Sequence, residues 1–135
     1  MNRFYRHISF ALLLCVSTMG VLAQEMGKQP KIKFEKILED VGTLSVGKGE
    51  KRTVTFVYAN EGDAPLVLER AETSCGCTTV QLPKKAVKPG KKGKVKVTVD
   101  ATYLDDRGVF GTLITLYYNS TLRYTRIRIK GVLEN

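Results

Sequence analysis

From Lys31 onward the chain alternates apolar and polar residues with a period of two, which restricts it to strands with one buried face. Lys94 to Asp100 is the cleanest case: Val95, Val97 and Val99 point one way, Lys94, Lys96 and Thr98 the other. Thr53 to Ala59 repeats it with Val54, Phe56 and Tyr58 inward, and Lys31 to Phe34 does so with Ile32 and Phe34. Pro65 to Arg70 adds Leu66 and Leu68. Val109 to Tyr118 is almost continuously β-branched and aromatic, the composition of a central strand. In the last segment, Thr121 to Val132, Ile127 and Ile129 fall out of phase with Leu122 and Tyr124; a bulge near Thr125 would reconcile them. Tyr58, Phe110 and Tyr124 accordingly read as core or sheet-edge aromatics. No stretch sustains helical periodicity.

Turn residues punctuate these runs. Asn60-Glu61-Gly62-Asp63, Lys88-Pro89-Gly90 and Asp105-Asp106-Arg107-Gly108 accept turn dihedrals, and Asn119-Ser120 can close a hairpin between the last two strands. About seven short strands at near-regular spacing predict an all-β, antiparallel two-sheet sandwich over residues 31–135.

The first 23 residues stand apart. Arg3 and Arg6 precede a short apolar run, Ile8 to Met19, and Val21-Leu22-Ala23 supplies a cleavage signature, so a secretory signal peptide ending at Ala23 is expected. The apolar run falls short of the ~20 residues a membrane span requires. Cys15 makes a poor lipid-bearing cysteine, because Leu14 precedes it and apolar chain continues past it. Cleavage removes Cys15 and the only histidine, His7, and the loss of Arg3 and Arg6 lowers the formal charge from +9 to +7. Residues 24–30 then form a polar leader. Export puts Cys75 and Cys77 where a disulfide persists.

The order of motifs carries a resemblance. Phe34, Asp40-Val41-Gly42, Gly47, Phe56, Asn60-Glu61-Gly62 and Pro65-Leu66-Val67-Leu68 are followed by Ser74-Cys75-Gly76-Cys77-Thr78, Pro89-Gly90 and Ile129-Lys130-Gly131-Val132. From about Lys31 to Val132 the chain resembles the bacterial exported family called domain of unknown function 1573. That family is similar to immunoglobulin-like domains of the major-sperm-protein and pilus-chaperone type. The resemblance implies an immunoglobulin-like sandwich and brings no activity, substrate or catalytic residue; function has to come from a site.

Composition removes most catalytic constellations. Without histidine after cleavage there is no Ser-His-Asp or Cys-His pair and no imidazole zinc site. Gly42, Gly47 and Gly49 lead into a strand rather than a helix, so they do not cradle phosphate. Asp105 and Asp106 are adjacent, and neighbours in an extended chain point apart. No enzyme, cofactor or dedicated metal site is expected. Lys84, Lys85, Lys88, Lys91 and Lys92, continuing to Lys94 and Lys96, form a basic surface without interleaved arginines or aromatics. It reads as a solvated loop and the outer face of a strand, or as a contact for an anionic envelope surface or acidic partner, not as a nucleic-acid site.

Cys75-Gly76-Cys77 leaves three readings. Closing so short a loop stabilises by only roughly 1.6 kcal/mol, and ring strain opposes it, so a local disulfide would shape a turn without holding the fold. Reduced thiols would act as small apolar residues. A thiol-active pair would exchange disulfides or bind Cu(I), the one metal reading, carried by Cys75 and Cys77 alone. The resulting expectation is a non-enzymatic, exported, periplasmic or envelope-associated module. It would bind an unidentified protein or envelope component through sheet edges or end loops, with thiol exchange as the rival.

Overall fold

The computed structural model describes residues 27–104 and 107–134. The expected signal peptide, its cleavage site and the Asp105-Asp106 pair lie outside them. The described chain forms eight strands: β1 (Ile32–Phe34), β2 (Leu38–Ser45), β3 (Lys51–Asn60), β4 (Leu68–Thr73), β5 (Thr78–Gln81), β6 (Lys92–Asp100), β7 (Gly108–Tyr118) and β8 (Tyr124–Glu134). One 3-10 turn, Ala101–Tyr103, follows β6, capped by the Asp100 carboxylate accepting from the Thr102 amide. Sheet A runs β1-β3-β6-β5 and sheet B runs β2-β8-β7-β4. The architecture is the all-β two-sheet sandwich that the alternation predicts.

On β3 and β6 the inward residues are those the period of two assigns. Phe56, Tyr58, Val95, Val97 and Val99 from sheet A meet Leu44, Ile114, Leu116, Ile127 and Ile129 from sheet B, all essentially without solvent contact. Phe34 closes one end, its ring edge-on to Phe56 at 86° and 6.4 Å. Val109 to Tyr118 is central, as its composition suggests, with β8 on one side and β4 on the other. Its outward residues stay open, so burial alternates along it.

Four details differ from the sequence reading. β8 begins at Tyr124 and pairs with β7 in unbroken register from Tyr117↔Tyr124 to Gly108↔Leu133, so there is no bulge at Thr125. Leu122 belongs to the preceding turn, where Arg123 adopts a left-handed φ of 57°, and Tyr124 points outward, so the two phases never share a strand. The bulges lie elsewhere, between Asp40 and Thr43 in β2 and between Leu68 and Arg70 in β4. β2 pairs with β8 in parallel, because the chain changes sheets between Phe34 and Leu38 and enters beside β8 in the same direction. Leu66 precedes β4 and bridges to Val87 instead. Gln29, read as part of the leader, is already docked: its amide donates to Asp63 Oδ1 at 2.7 Å, and its carbonyl accepts from the Asp63 amide at 3.1 Å.

Tyr58 carries the one buried side-chain polar atom without a hydrogen-bond partner among the described residues. Removing such a hydroxyl deletes a desolvation cost and no bond, so Tyr58→Phe is expected to stabilise by about 1 kcal/mol. Burial also raises the Tyr58 hydroxyl above its usual 10.0. Above that pH the unfolded chain releases a proton that the folded chain keeps, so stability falls as the pH climbs. Tyr58→Phe should flatten part of that decline. Urea melts on both sides of the tyrosine range check it, and a loss near 1 kcal/mol at neutral pH would show that the hydroxyl does have a partner.

Candidate functional site

Two features of the surface are chemically distinctive, the Cys75–Cys77 corner and the outer face of sheet B. The corner links β4 to β5, so it crosses from one sheet to the other. The two sulfurs are bonded, with α-carbons 5.2 Å apart. Their surroundings differ. Cys75 is half-buried, whereas Cys77 is 2% exposed. The Cys77 amide lies 3.1 Å from Cys75 Sγ. Cys77 Sγ faces two buried hydroxyls, Thr78 Oγ1 at 3.3 Å and Thr112 Oγ1 at 3.9 Å. The backbone is tied independently of the sulfurs: Thr73 Oγ1 donates to the Cys75 carbonyl, and the Asp100 amide donates to that of Cys77. Among the described residues no three His, Cys, Asp or Glu side chains gather, so neither sulfur has a third ligand nearby.

On sheet B every second residue of β7 and β8 points outward. The cross-strand pairs put Val109 beside Val132, Gly111 beside Lys130, Leu113 beside Arg128, Thr115 beside Arg126 and Tyr117 beside Tyr124. β2 adds Leu38 beside Arg128 and Asp40 beside Lys130, and β4 adds Arg70 beside Tyr117 and Glu72 beside Thr115. From Tyr124 to Val132 this face runs about 27 Å, taking ~3.4 Å per residue. Leu38 is 47% exposed, Tyr124 48% and Val132 41%.

Electrostatics and stacking organise one end of it. The Arg70 guanidinium lies 3.5 Å from the centre of the Tyr117 ring and pairs with Glu72, which also accepts from the Tyr117 hydroxyl at 2.9 Å. The Tyr117 hydrogen bond first, and Arg70 second, hold the Glu72 carboxyl below its ordinary range. Tyr124 stands 6.1 Å from Tyr117 and under Arg126. In the middle, glycine at 111 leaves a depression of about 450 Å³ bordered by Leu38, Leu113, Arg128 and Ser74. Of the acids, Asp40 lies 3.5 Å from Lys130. Arg126 and Arg128 make no ion pair among the described residues.

The lysines singled out in the sequence sit elsewhere. Lys84, Lys85, Lys88 and Lys91 line the connection from β5 to β6, exposed, while Lys92 starts β6 and pairs with Glu35. Lys94 and Lys96 continue outward on sheet A opposite Val57 and Thr55. That face carries lysine and threonine where sheet B carries arginine and tyrosine. The sheet B cluster was missed because its members come from four strands; the alternating Arg126, Arg128 and Lys130 are the signal that pointed to it. Among the described residues no helix is long and apolar enough to cross a membrane.

A family model described as protein of unknown function (DUF1573) matches residues 32–133. No curated protein matches the chain by sequence. Among solved structures, a protein of unknown function from Porphyromonas gingivalis W83 superposes with a TM-score of 0.69 at 21% identity, over 82% of this chain and 50% of that one. The chain thus spans half the length of that protein. The ASH/PapD-like domain 7 of human CEP192 superposes at 0.62 with 11% identity, over 87% of this chain and 96% of that one. The YadV chaperone does so at 0.55 with 14% identity, over 77% and 52%. At these identities the likeness is one of fold.

Proposed function

The chain belongs to the family described as protein of unknown function (DUF1573), and from that starting point we propose that it is a non-catalytic binding module holding an acidic protein against the outer face of sheet B. The observation that carries the proposal is the composition of that face. Protein interfaces are enriched in arginine and tyrosine and depleted in lysine, and the two outer faces of this sandwich divide along that line. Between Tyr124 and Val132, four cations, Arg70, Arg126, Arg128 and Lys130, stand against two carboxylates, Asp40 and Glu72, both already paired; Glu134 adds a third carboxylate only at the far end. The excess favours a negatively charged partner. The sheet edges are less suited to strand addition. β1 and β5 have three and four residues, β2 and β4 are bulged, and β4 carries Glu69, Arg70 and Glu72, devices that blunt an edge. The CEP192 domain and the YadV chaperone share the fold.

The proposal places the protein outside the cytoplasm, in the periplasm or envelope. The signal pattern of residues 1–23 and a disulfide that needs an oxidising compartment support this. A photo-crosslinking residue at Thr115 of sheet B, or at Thr55 of sheet A, tests the binding reading in the producing cells. Adducts are expected from Thr115 alone and should fall at least tenfold when Arg126→Glu and Arg128→Glu are added, as desolvated arginine anchors require. Equal adducts from both positions, or adducts indifferent to the charge reversal, would reject the face.

A further inference from the structure

We propose that the Cys75–Cys77 disulfide is an exchange site with a fixed direction of attack, open to a protein dithiol at Cys75 and releasing Cys77 as the leaving thiolate. The carrying observation is the asymmetry of the two sulfurs. An incoming thiolate must approach a disulfide sulfur along the bond from outside, and only Cys75 has solvent around it; Cys77 is enclosed. The enclosed sulfur is not in an apolar setting. Thr78 and Thr112, two of the four buried polar or charged residues described, turn their hydroxyls toward Cys77 Sγ at 3.3 and 3.9 Å. Those hydroxyls also lie 3.5 Å from one another, a weak mutual contact that leaves capacity for a stronger acceptor. A thiolate is that acceptor. Hydroxyl donors lower the pKa of a leaving thiol, and a lower pKa speeds its departure.

The step balances as an ordinary exchange. A thiolate of the partner dithiol forms a bond to Cys75 Sγ while the Cys75–Cys77 bond breaks, and its electron pair stays on Cys77. The partner's second thiolate then attacks its own sulfur in the mixed disulfide and releases Cys75. The partner leaves as a disulfide, and this chain holds two thiols, having gained two electrons and two protons. The Cys77 amide, 3.1 Å from Cys75 Sγ, is placed to donate to the released Cys75 thiolate. The corner keeps its shape throughout, because hydrogen bonds from Thr73 and Asp100 fix its carbonyls without help from the sulfurs.

Two single-cysteine variants test the direction. With Cys77→Ser, the native protein should react with glutathione disulfide and with iodoacetamide at Cys75. With Cys75→Ser, the Cys77 thiol should react at least tenfold more slowly until denaturant is added. Equal rates, or a faster Cys77, overturn the proposal. Intact protein gives an independent reading should either variant fold poorly. Dithiothreitol should reduce it within minutes at 25 °C with its near-ultraviolet circular dichroism retained, and Thr112→Val should slow that reduction several-fold at unchanged melting temperature. Reduction that proceeds only at the rate of unfolding, or that is indifferent to Thr112→Val, counts against the site.

Discussion

Asn60→Ala is expected to destabilise the protein by about 3–4 kcal/mol, a large share of the 5–15 kcal/mol that holds a domain of this size. Asn60 ends β3, is fully buried, and serves three chain segments at once. Its Nδ2 donates to the Ala64 carbonyl at 2.7 Å and to the Val87 carbonyl at 2.9 Å. Its Oδ1 accepts from the Gly62 amide at 3.0 Å and the Lys31 amide at 3.3 Å. Alanine returns none of these, and backbone groups left unpaired away from water each cost about 1–3 kcal/mol. Part of the loss is recovered, because the Val87 carbonyl keeps the Leu66 amide. Asn119 is the control. It also makes two backbone bonds, to the Val67 amide and the Pro65 carbonyl, but at an exposed turn where water replaces them. Asn119→Ala should cost about 1 kcal/mol or less. Urea melts of the two variants decide it, and an Asn60→Ala loss as small as that of Asn119→Ala would mean the network carries no weight.

Asn60 also shows what a sequence displays and what it conceals. In the run Asn60-Glu61-Gly62-Asp63 it announces a turn, which is correct, but nothing local reveals that its side chain spans to Lys31 and Val87. The long strands were legible because their alternation is unbroken, as in Val95, Val97 and Val99. β2 was not, since the bulge between Asp40 and Thr43 interrupts the period and leaves Leu38 outward with Val41 and Leu44 inward. β5, four residues long, is too short to show a period. The conflict at Thr121 to Tyr124 was visible but admitted two solutions. A left-handed Arg123 ending a turn resolves it without an extra residue in the ladder.

The candidate site divides similarly. Cys75 and Cys77 stand out in any reading, and so do contiguous lysines. The polar enclosure of Cys77 includes Thr112, a residue thirty-five positions away that the β4–β7 pairing brings close. The sheet B face is likewise a product of register. Arg70 is remote in sequence from Tyr117 and Tyr124, and the three are adjacent because β4, β7 and β8 pair as they do. Sequence distance hid the cluster, whereas the lysines were noticed for being neighbours.

Gly131→Val is expected to cost about 3 kcal/mol and to loosen β2, although valine is the better strand former. The backbone at Gly131 is ordinary; the obstacle is space. A β-carbon there would lie 2.6 Å from Phe110 Cε1, 2.7 Å from Val41 Cγ2 and 2.8 Å from the Gly42 carbonyl oxygen. Phe110 sits directly across from Gly131 and fills its vacant position, and the β2 bulge closes over both. Accommodating a side chain requires the bulge to lift, which strains the parallel pairing of β2 with β8. Hydrogen exchange across Leu38–Ser45 should therefore accelerate in the variant beyond the rest of sheet B. Gly111→Val separates packing from propensity. It lies on β7 pointing outward, and the nearest atom to its added β-carbon is 3.8 Å away. That variant should keep full stability, yet its side chain would occupy the depression bordered by Leu38, Leu113 and Arg128. Loss of crosslinking from Thr115 in stable Gly111→Val protein would show that a partner uses the depression itself. If Gly131→Val proves as stable as Gly111→Val, β2 is not held by this contact, and Leu38 and Asp40 do not owe their place on the face to it.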